Sequence, residues 1–241
     1  MTLTDHDKPK GPRMDFKRYA IYATPAPGPL ADFGAAWLGW DCAAGCAVDH
    51  PHVSGLPMPL AEITDAPRKY GLHATMKPPF RLTEGQNEAA LKAAFERFCS
   101  TTAPVTLDAL TLARLGRFLA LVPLGDQTAL NALAAKTVKA FEPFRAPLTE
   151  SELTHRRAAG LSPEQDALLL KWGYPYVIEA FRFHITLTGK LPRAQAVETH
   201  TILARLIEPL LPRPFPISSL ALMGEDGLGR FHLIHRRALS G

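Results

Sequence analysis

Two short segments of this chain carry residues suited to proton-transfer chemistry, His73-Ala74-Thr75 and His184-Ile185-Thr186. Successive side chains of a strand point to opposite faces, so a His and a Thr two positions apart share one face, roughly 6–7 Å apart. An imidazole with an ordinary pKa of about 6.5 serves as base or acid near neutral pH. Two of them at one cleft can divide the work. A neutral ring takes the proton of an attacking water or hydroxyl, and an imidazolium returns one to a leaving oxygen. The two threonine hydroxyls can donate to non-bridging phosphoryl oxygens, where charge must be held in the transition state. The chemistry this points to is phosphoester cleavage without a metal. A lone His-x-Thr is usually structural, so the weight rests on the pair occupying matching positions.

The elements around the two segments do match. In the first half, Leu72–Met76 reads as a strand, and Leu91, Ala94, Phe95 and Phe98 mark an amphipathic helix over 88–100. Strands follow at 105–113 and 117–122, turned at Gly116. In the second half, Phe181–Thr188 reads as the strand and Leu203, Leu206, Ile207 and Leu210 mark a helix over 194–210. Closing strands follow at 216–223 and 230–237, with a hairpin at Gly227 and Gly229. Val105 and Arg117 lie 32 and 44 residues after His73, and Pro216 and Arg230 lie 32 and 46 after His184. Two β-α-β-β units of this spacing indicate an internal duplication. A pseudo-twofold axis would bring both pairs to one cleft.

The remaining chain frames these units. Arg18–Thr24 reads as a strand stopped by Pro25, Pro27 and Pro29, followed by a helix over 30–40 and an irregular loop over 41–68. Leu130, Leu133, Ala134, Val138 and Phe141 mark a helix between the units. Thr149…Glu152 and Ser162…Gln165 are capping boxes that predict helices over 150–159 and 163–171, the first stopped at Gly160. One bilobal domain is expected over 16–241, with lobes at 16–124 and 125–241 and a helical insert at 143–180. Residues 1–15 read as a disordered tail, polar through residue 13.

Around the motifs, alternation predicts that Lys77 continues the His73/Thr75 face and that Arg182 precedes His184 on its face. Either can bring positive charge to a phosphate. Tyr70 and Tyr174 stand near the motifs, where packing is the favoured role. From the insert, Arg145, Arg156 and Arg157 can clamp a second phosphate, or lie as exposed helix charges.

Composition narrows the classes. The chain has 241 residues, 46% hydrophobic and 21% charged, as a soluble globular protein does. Its N-terminus lacks the apolar core of a secretory signal, and no stretch approaches a membrane span. Cys42, Cys46 and Cys99 form no disulfide framework or zinc spacing, so a reducing cytoplasm is expected. A net charge of +4 permits an anionic ligand, and no run of basic residues suggests a nucleic-acid tail. His50-x-His52 lies in a Pro-rich loop, and His232 and His235 would face opposite sides of a strand, so no metal site is expected. No cofactor is expected. There is no GxSxG, Walker loop or GxGxxG.

The chain resembles the 2H phosphoesterase superfamily, named for its two His-x-Thr/Ser motifs. RYAIY (18–22), FGAAWLG (33–39), RKYGLHATMKPPF (68–80), FRAPLTESEL (144–153), RRAAGL (156–161), KWGYPYV (171–177) and FRFHITLTG (181–189) are similar to one branch of it, DUF1045. The resemblance covers about residues 16–238. It implies an α+β, duplicated, bilobal fold like that of 2′-5′ RNA ligase, with two antiparallel sheets and outer helices around a central cleft. It also implies His73, Thr75, His184 and Thr186 as a catalytic quartet acting on a cyclic or 2′-linked phosphodiester without a metal. Through the branch's association with carbon–phosphorus lyase pathways, it suggests 5-phosphoribosyl 1,2-cyclic phosphate as substrate; the protein itself is expected to be a cytoplasmic monomer. The alternatives are RNA 2′,3′-cyclic or 2′-5′ end processing and a phosphate-ligand binding module without turnover. Scattered basic residues without a track of exposed aromatics speak against RNA.

Overall fold

The computed structural model describes residues 15–241. The tail expected over 1–15 lies, apart from Asp15, outside the described residues. The chain opens with β1 (Arg18–Ala23), α1 (Pro29–Leu38) and a small ribbon of β2 (Trp40–Asp41) and β3 (Cys46–Ala47). Two single-turn helices follow, α2 (Leu60–Ile63) and α3 (Asp65–Arg68), so the loop expected over 41–68 is partly ordered into short elements. The first unit is β4 (Ala74–Phe80), α4 (Glu88–Ser100), β5 (Val105–Leu107), β6 (Ala109–Leu115) and β7 (Phe118–Leu124). After α5 (Thr128–Ala140) come the insert helices α6 (Glu150–Arg157) and α7 (Pro163–Trp172). The second unit is β8 (Ile185–Thr186), α8 (Arg193–Ile207), β9 (Phe215–Ile217), β10 (Ser219–Glu225) and β11 (Phe231–Ala238).

The sheets are antiparallel, in the orders β11-β10-β1-β4 and β6-β7-β8. The chain is α+β, as expected, but the lobes are not its two halves. The hairpin β10–β11 of the second unit stands in the sheet that holds the first motif's strand. Conversely, β6–β7 of the first unit pairs with the second motif's strand. The cut between 16–124 and 125–241 is therefore corrected to two lobes that each draw on both halves. The expected strands 105–113 and 216–223 are each interrupted, at Asp108 and Ser218, where the chain leaves one ladder for another. The segments before the breaks, β5 and β9, pair with each other, Thr106 opposite Pro216. Antiparallel pairing of two corresponding segments is what a twofold axis through their ladder produces.

Both sheets pack their apolar faces into one continuous core that includes Ile21, Met76, Phe95, Leu121, Leu187, Leu203 and Leu222. Trp37 of α1 is fully buried, and its indole N–H donates to the Leu187 carbonyl at 2.8 Å, tying the first helix to the second motif's segment. Among the described residues, no helix is long and apolar enough to cross a membrane.

Candidate active site

His73 immediately precedes β4. The turn into that strand needs Gly71, which is left-handed at φ +70°, and a Cβ there would meet Cys42 Sγ at 2.9 Å. The Gly71 carbonyl accepts from His73 Nδ1 at 2.9 Å. In the second unit, the Arg182 carbonyl accepts from His184 Nδ1 at 2.8 Å. Each imidazole thus donates to the carbonyl two residues before it. A carbonyl only accepts, so each neutral ring carries its proton on Nδ1 and presents Nε2 as an acceptor. Thr75 Oγ1 stands 3.2 Å from His73 Nε2 and donates to it.

Two adjoining cavities, of about 770 and 630 Å³, share Thr75, Pro78 and Tyr174. His73, Thr75 and Thr186 line the first, and Thr75 and His184 line the second. The four motif residues therefore border one cleft between the sheets. A third cavity, of about 390 Å³, lies behind Phe183 and Ile185 and has no titratable side chain in its wall.

The environments of the two imidazoles differ. His73 stacks on Tyr22 with ring centroids 3.9 Å apart, and Tyr70 flanks it at 5.7 Å. Burial pushes the His73 imidazole down to about 4; the hydrogen bond to the Gly71 carbonyl opposes this, and the neighbouring His184 adds to it. At neutral pH the His73 imidazole is therefore uncharged. His184 touches only Phe118, at 5.9 Å, among the described aromatic rings and lies nearer solvent. The strand expected over 181–188 is ordered as a strand only at Ile185–Thr186. Beyond it, the Thr188 hydroxyl replaces a carbonyl as acceptor for the Leu119 N–H, at 2.9 Å, and the regular ladder ends.

Among the other expected site residues, Tyr70, Tyr174 and Arg156 line the cleft. Arg182 is exposed at its second cavity, beside His184. Lys77 is not in the cleft. Tyr22 pairs with Thr75 but Ile21 pairs with Lys77, so β4 has an extra residue at Met76. That bulge turns Lys77 from the His73/Thr75 face to the core face of Ile21. There it is 1% exposed and donates to Glu142 Oε2 at 3.0 Å and to the Val138 carbonyl at 3.1 Å. Arg145 is also committed, with Nε and Nη2 donating to Glu142 Oε1 at 2.9 and 2.6 Å. Arg157 pairs with Asp166 at 2.7 Å on the surface.

The sequence reading missed Tyr22 and Arg18. Both lie on β1 and line the cleft, with Arg18 held by a two-point contact to Glu225. Alternation puts 18, 20 and 22 on one face of RYAIY; only the pairing with β4 shows that this face meets the motif. Lys69, His155 and Lys190 also border the cleft. Among the described residues, no three His, Cys, Asp or Glu side chains gather to hold a metal ion. His232 and His235 do not face opposite sides, because a bulge in the β10–β11 ladder puts them opposite Gly224 and Leu222. Asp226 is bonded to His232 Nε2 at 2.8 Å, and His235 Nε2 stands 3.3 Å from a different carboxylate, Glu96, without a hydrogen bond to it.

Fold and site together define an α+β protein whose two His-x-Thr segments, from different sheets, border a common cleft. Residues 75–232 match the family model DUF1045, described as a protein of unknown function, and the chain belongs to that family. A protein of Janthinobacterium sp. (strain Marseille) named ribose 1,5-bisphosphate phosphokinase PhnN is 44% identical over 187 residues, covering 77% of this chain and 41% of that protein. Its namesake in Laribacter hongkongensis (strain HLHK9) is 36% identical over 182 residues, covering 72% of this chain and 40% of that protein. The chain thus spans about two-fifths of the length of these curated relatives. Among solved structures, Escherichia coli LigT complexed with 3′-AMP aligns over 94% of this chain and 100% of its own, at 15% identity and a TM-score of 0.46. The protein TT0787 of Thermus thermophilus aligns over 93% of this chain and 98% of its own, at 14% identity and a TM-score of 0.43.

Proposed function

We propose that this protein is a 2H-type phosphoesterase that opens a cyclic phosphodiester on a small phosphorylated sugar. The observation that carries the reading is the repeated geometry of the two imidazoles. Each is fixed by a carbonyl two residues back, each has Nε2 available, and each stands at the cleft with a threonine. The burial of His73 suits it to the base's part and leaves the acid's part to His184. His73, neutral at pH 7, takes a proton from water as the water oxygen attacks phosphorus. His184, as imidazolium, gives its proton to the sugar oxygen as the phosphorus–oxygen bond breaks. The Thr75 hydroxyl turns from His73 Nε2 toward a non-bridging oxygen as substrate enters, and Thr186 donates to another. No cofactor takes part in these steps.

The favoured substrate is 5-phosphoribosyl 1,2-cyclic phosphate. Adding water to its ring and breaking the bond from phosphorus to O2 gives ribose 1,5-bisphosphate, the sugar in the two relatives' names. Phosphorus NMR of chelator-treated protein, incubated with a panel of cyclic phosphates, tests the reading. The expected result is loss of the cyclic signal of the ribosyl compound and growth of a monoester signal. Turnover of nucleoside 2′,3′-cyclic phosphates alone would shift the assignment to RNA ends, and no turnover at all would leave a binding module.

A further inference from the structure

Arg156 is a half-buried guanidinium in the cleft that, among the described residues, makes neither a hydrogen bond nor an ion pair with a carboxylate. Glu152 lies one helical turn before it on α6, the spacing of a helix ion pair. Both Glu152 oxygens are already engaged: Oε1 by Arg81 Nε at 3.4 Å, and Oε2 by Arg81 Nη2 at 3.0 Å and by the Thr149 N–H at 2.7 Å. These bonds hold the Glu152 carboxyl down at about 2, so it stays charged and committed. They also bolt the first turn of α6 to the chain just after β4. Arg156, one turn further on, is left over the Tyr174 ring at 5.0 Å.

Glu152 shares the cleft and acts on Arg156 only through its field, so a guanidinium held over an aromatic ring with no carboxylate bonded to it is arranged to receive an anion. Its planar fork suits two oxygens of one phosphate. The Tyr174 phenol is protonated at neutral pH, and burial raises it further, so its O–H is another donor in the same cleft. Arg18 lines the same cleft, with its charge shared with Glu225. On the reading that the substrate is a phosphosugar, we propose that Arg156 and Tyr174 form the subsite for its second phosphate, the terminal monoester. The α6–α7 insert then serves as a selectivity element that separates phosphosugars from RNA ends, whose corresponding phosphate is a singly charged diester.

Kinetics with ribose 1,2-cyclic phosphate, with and without the 5-phosphate, test this in wild type, Arg156→Gln and Arg156→Lys. Arg156→Gln should lower kcat/KM for the 5-phosphorylated substrate about 10- to 100-fold, mainly through KM, the scale of one charge-assisted contact. The loss should be at least tenfold greater than on the substrate without the 5-phosphate, and Arg156→Lys should recover part of it. Equal losses on both substrates, or none, overturn the proposal. If wild type cleaves neither compound, the substrate reading has failed on its own. Calorimetric binding of ribose 5-phosphate then decides the subsite: it stands if Arg156→Gln raises Kd about 10-fold or more, and falls if wild type does not bind or both bind alike.

Discussion

The imidazole of His73 lies face to face with the phenol of Tyr22, ring centroids 3.9 Å apart and planes inclined by 28°. Tyr22 is 1% exposed and stands opposite Thr75 across the β1–β4 ladder, so it shuts water from one face of the imidazole. That contact makes stability depend on pH. The unfolded ring titrates near its ordinary value of about 6.5 and the folded one at about 4. Between those values the unfolded chain binds a proton that the native state refuses. Stability is full above about pH 6.5 and declines as pH falls toward 4, by up to about 3 kcal/mol. Thermal unfolding from pH 7 to 4 measures the decline. It should be shallower in His73→Phe, and an equally steep decline in that variant would refute the assignment.

The paired imidazoles should be individually indispensable. His73→Ala and His184→Ala should each lower turnover about 10²–10⁴-fold, and the double variant should lose far less than the product. Near-normal turnover in either folded single variant would remove the two-histidine relay.

The pH–rate profile should be bell-shaped, with apparent pKa values belonging to the pair. Burial of His73 places the acid limb of kcat/KM well below the ordinary imidazole range. EDTA should leave the profile unchanged, because no triplet of metal-ligating side chains gathers among the described residues. Activity lost to EDTA and restored by zinc or manganese would instead indicate a metal-bound hydroxide.

Replacing the threonine hydroxyls tests their place at the phosphate. Thr75→Val and Thr186→Val keep shape and delete one donor each, so kcat should fall about 10- to 10³-fold while melting temperature changes little. Unchanged kcat in both would mean that the hydroxyls do not reach the phosphoryl oxygens.

Lys77 should matter to stability and not to substrate binding. Lys77→Met leaves Glu142 with Arg145 as its remaining ion partner, so unfolding free energy should drop by about 1–3 kcal/mol. Denaturant titration measures this, and KM should stay within about twofold. A large rise in KM at unchanged stability would return Lys77 to the cleft.

What could be read from the chain alone was what local forces decide. Glu88–Ser100 is helical over the range its 3.6-residue spacing predicts. Both capping boxes form, because each needs only side chains and N–H groups within one turn. The two His-x-Thr segments announced themselves by residue type and repeat spacing. Tertiary structure decided the rest. The Met76 bulge reverses Lys77, and no alternation rule anticipates one extra residue in a ladder. Long-range pairing exchanges the β6–β7 and β10–β11 hairpins, and the contacts that do this join segments far apart in sequence. Arg145 and Arg156 look alike in sequence, yet one is engaged by Glu142 and the other lies over Tyr174 with no carboxylate on it. The reason is that a charge's role depends on which carboxylate packing brings within about 4 Å of it, and residue type and spacing do not determine that neighbour.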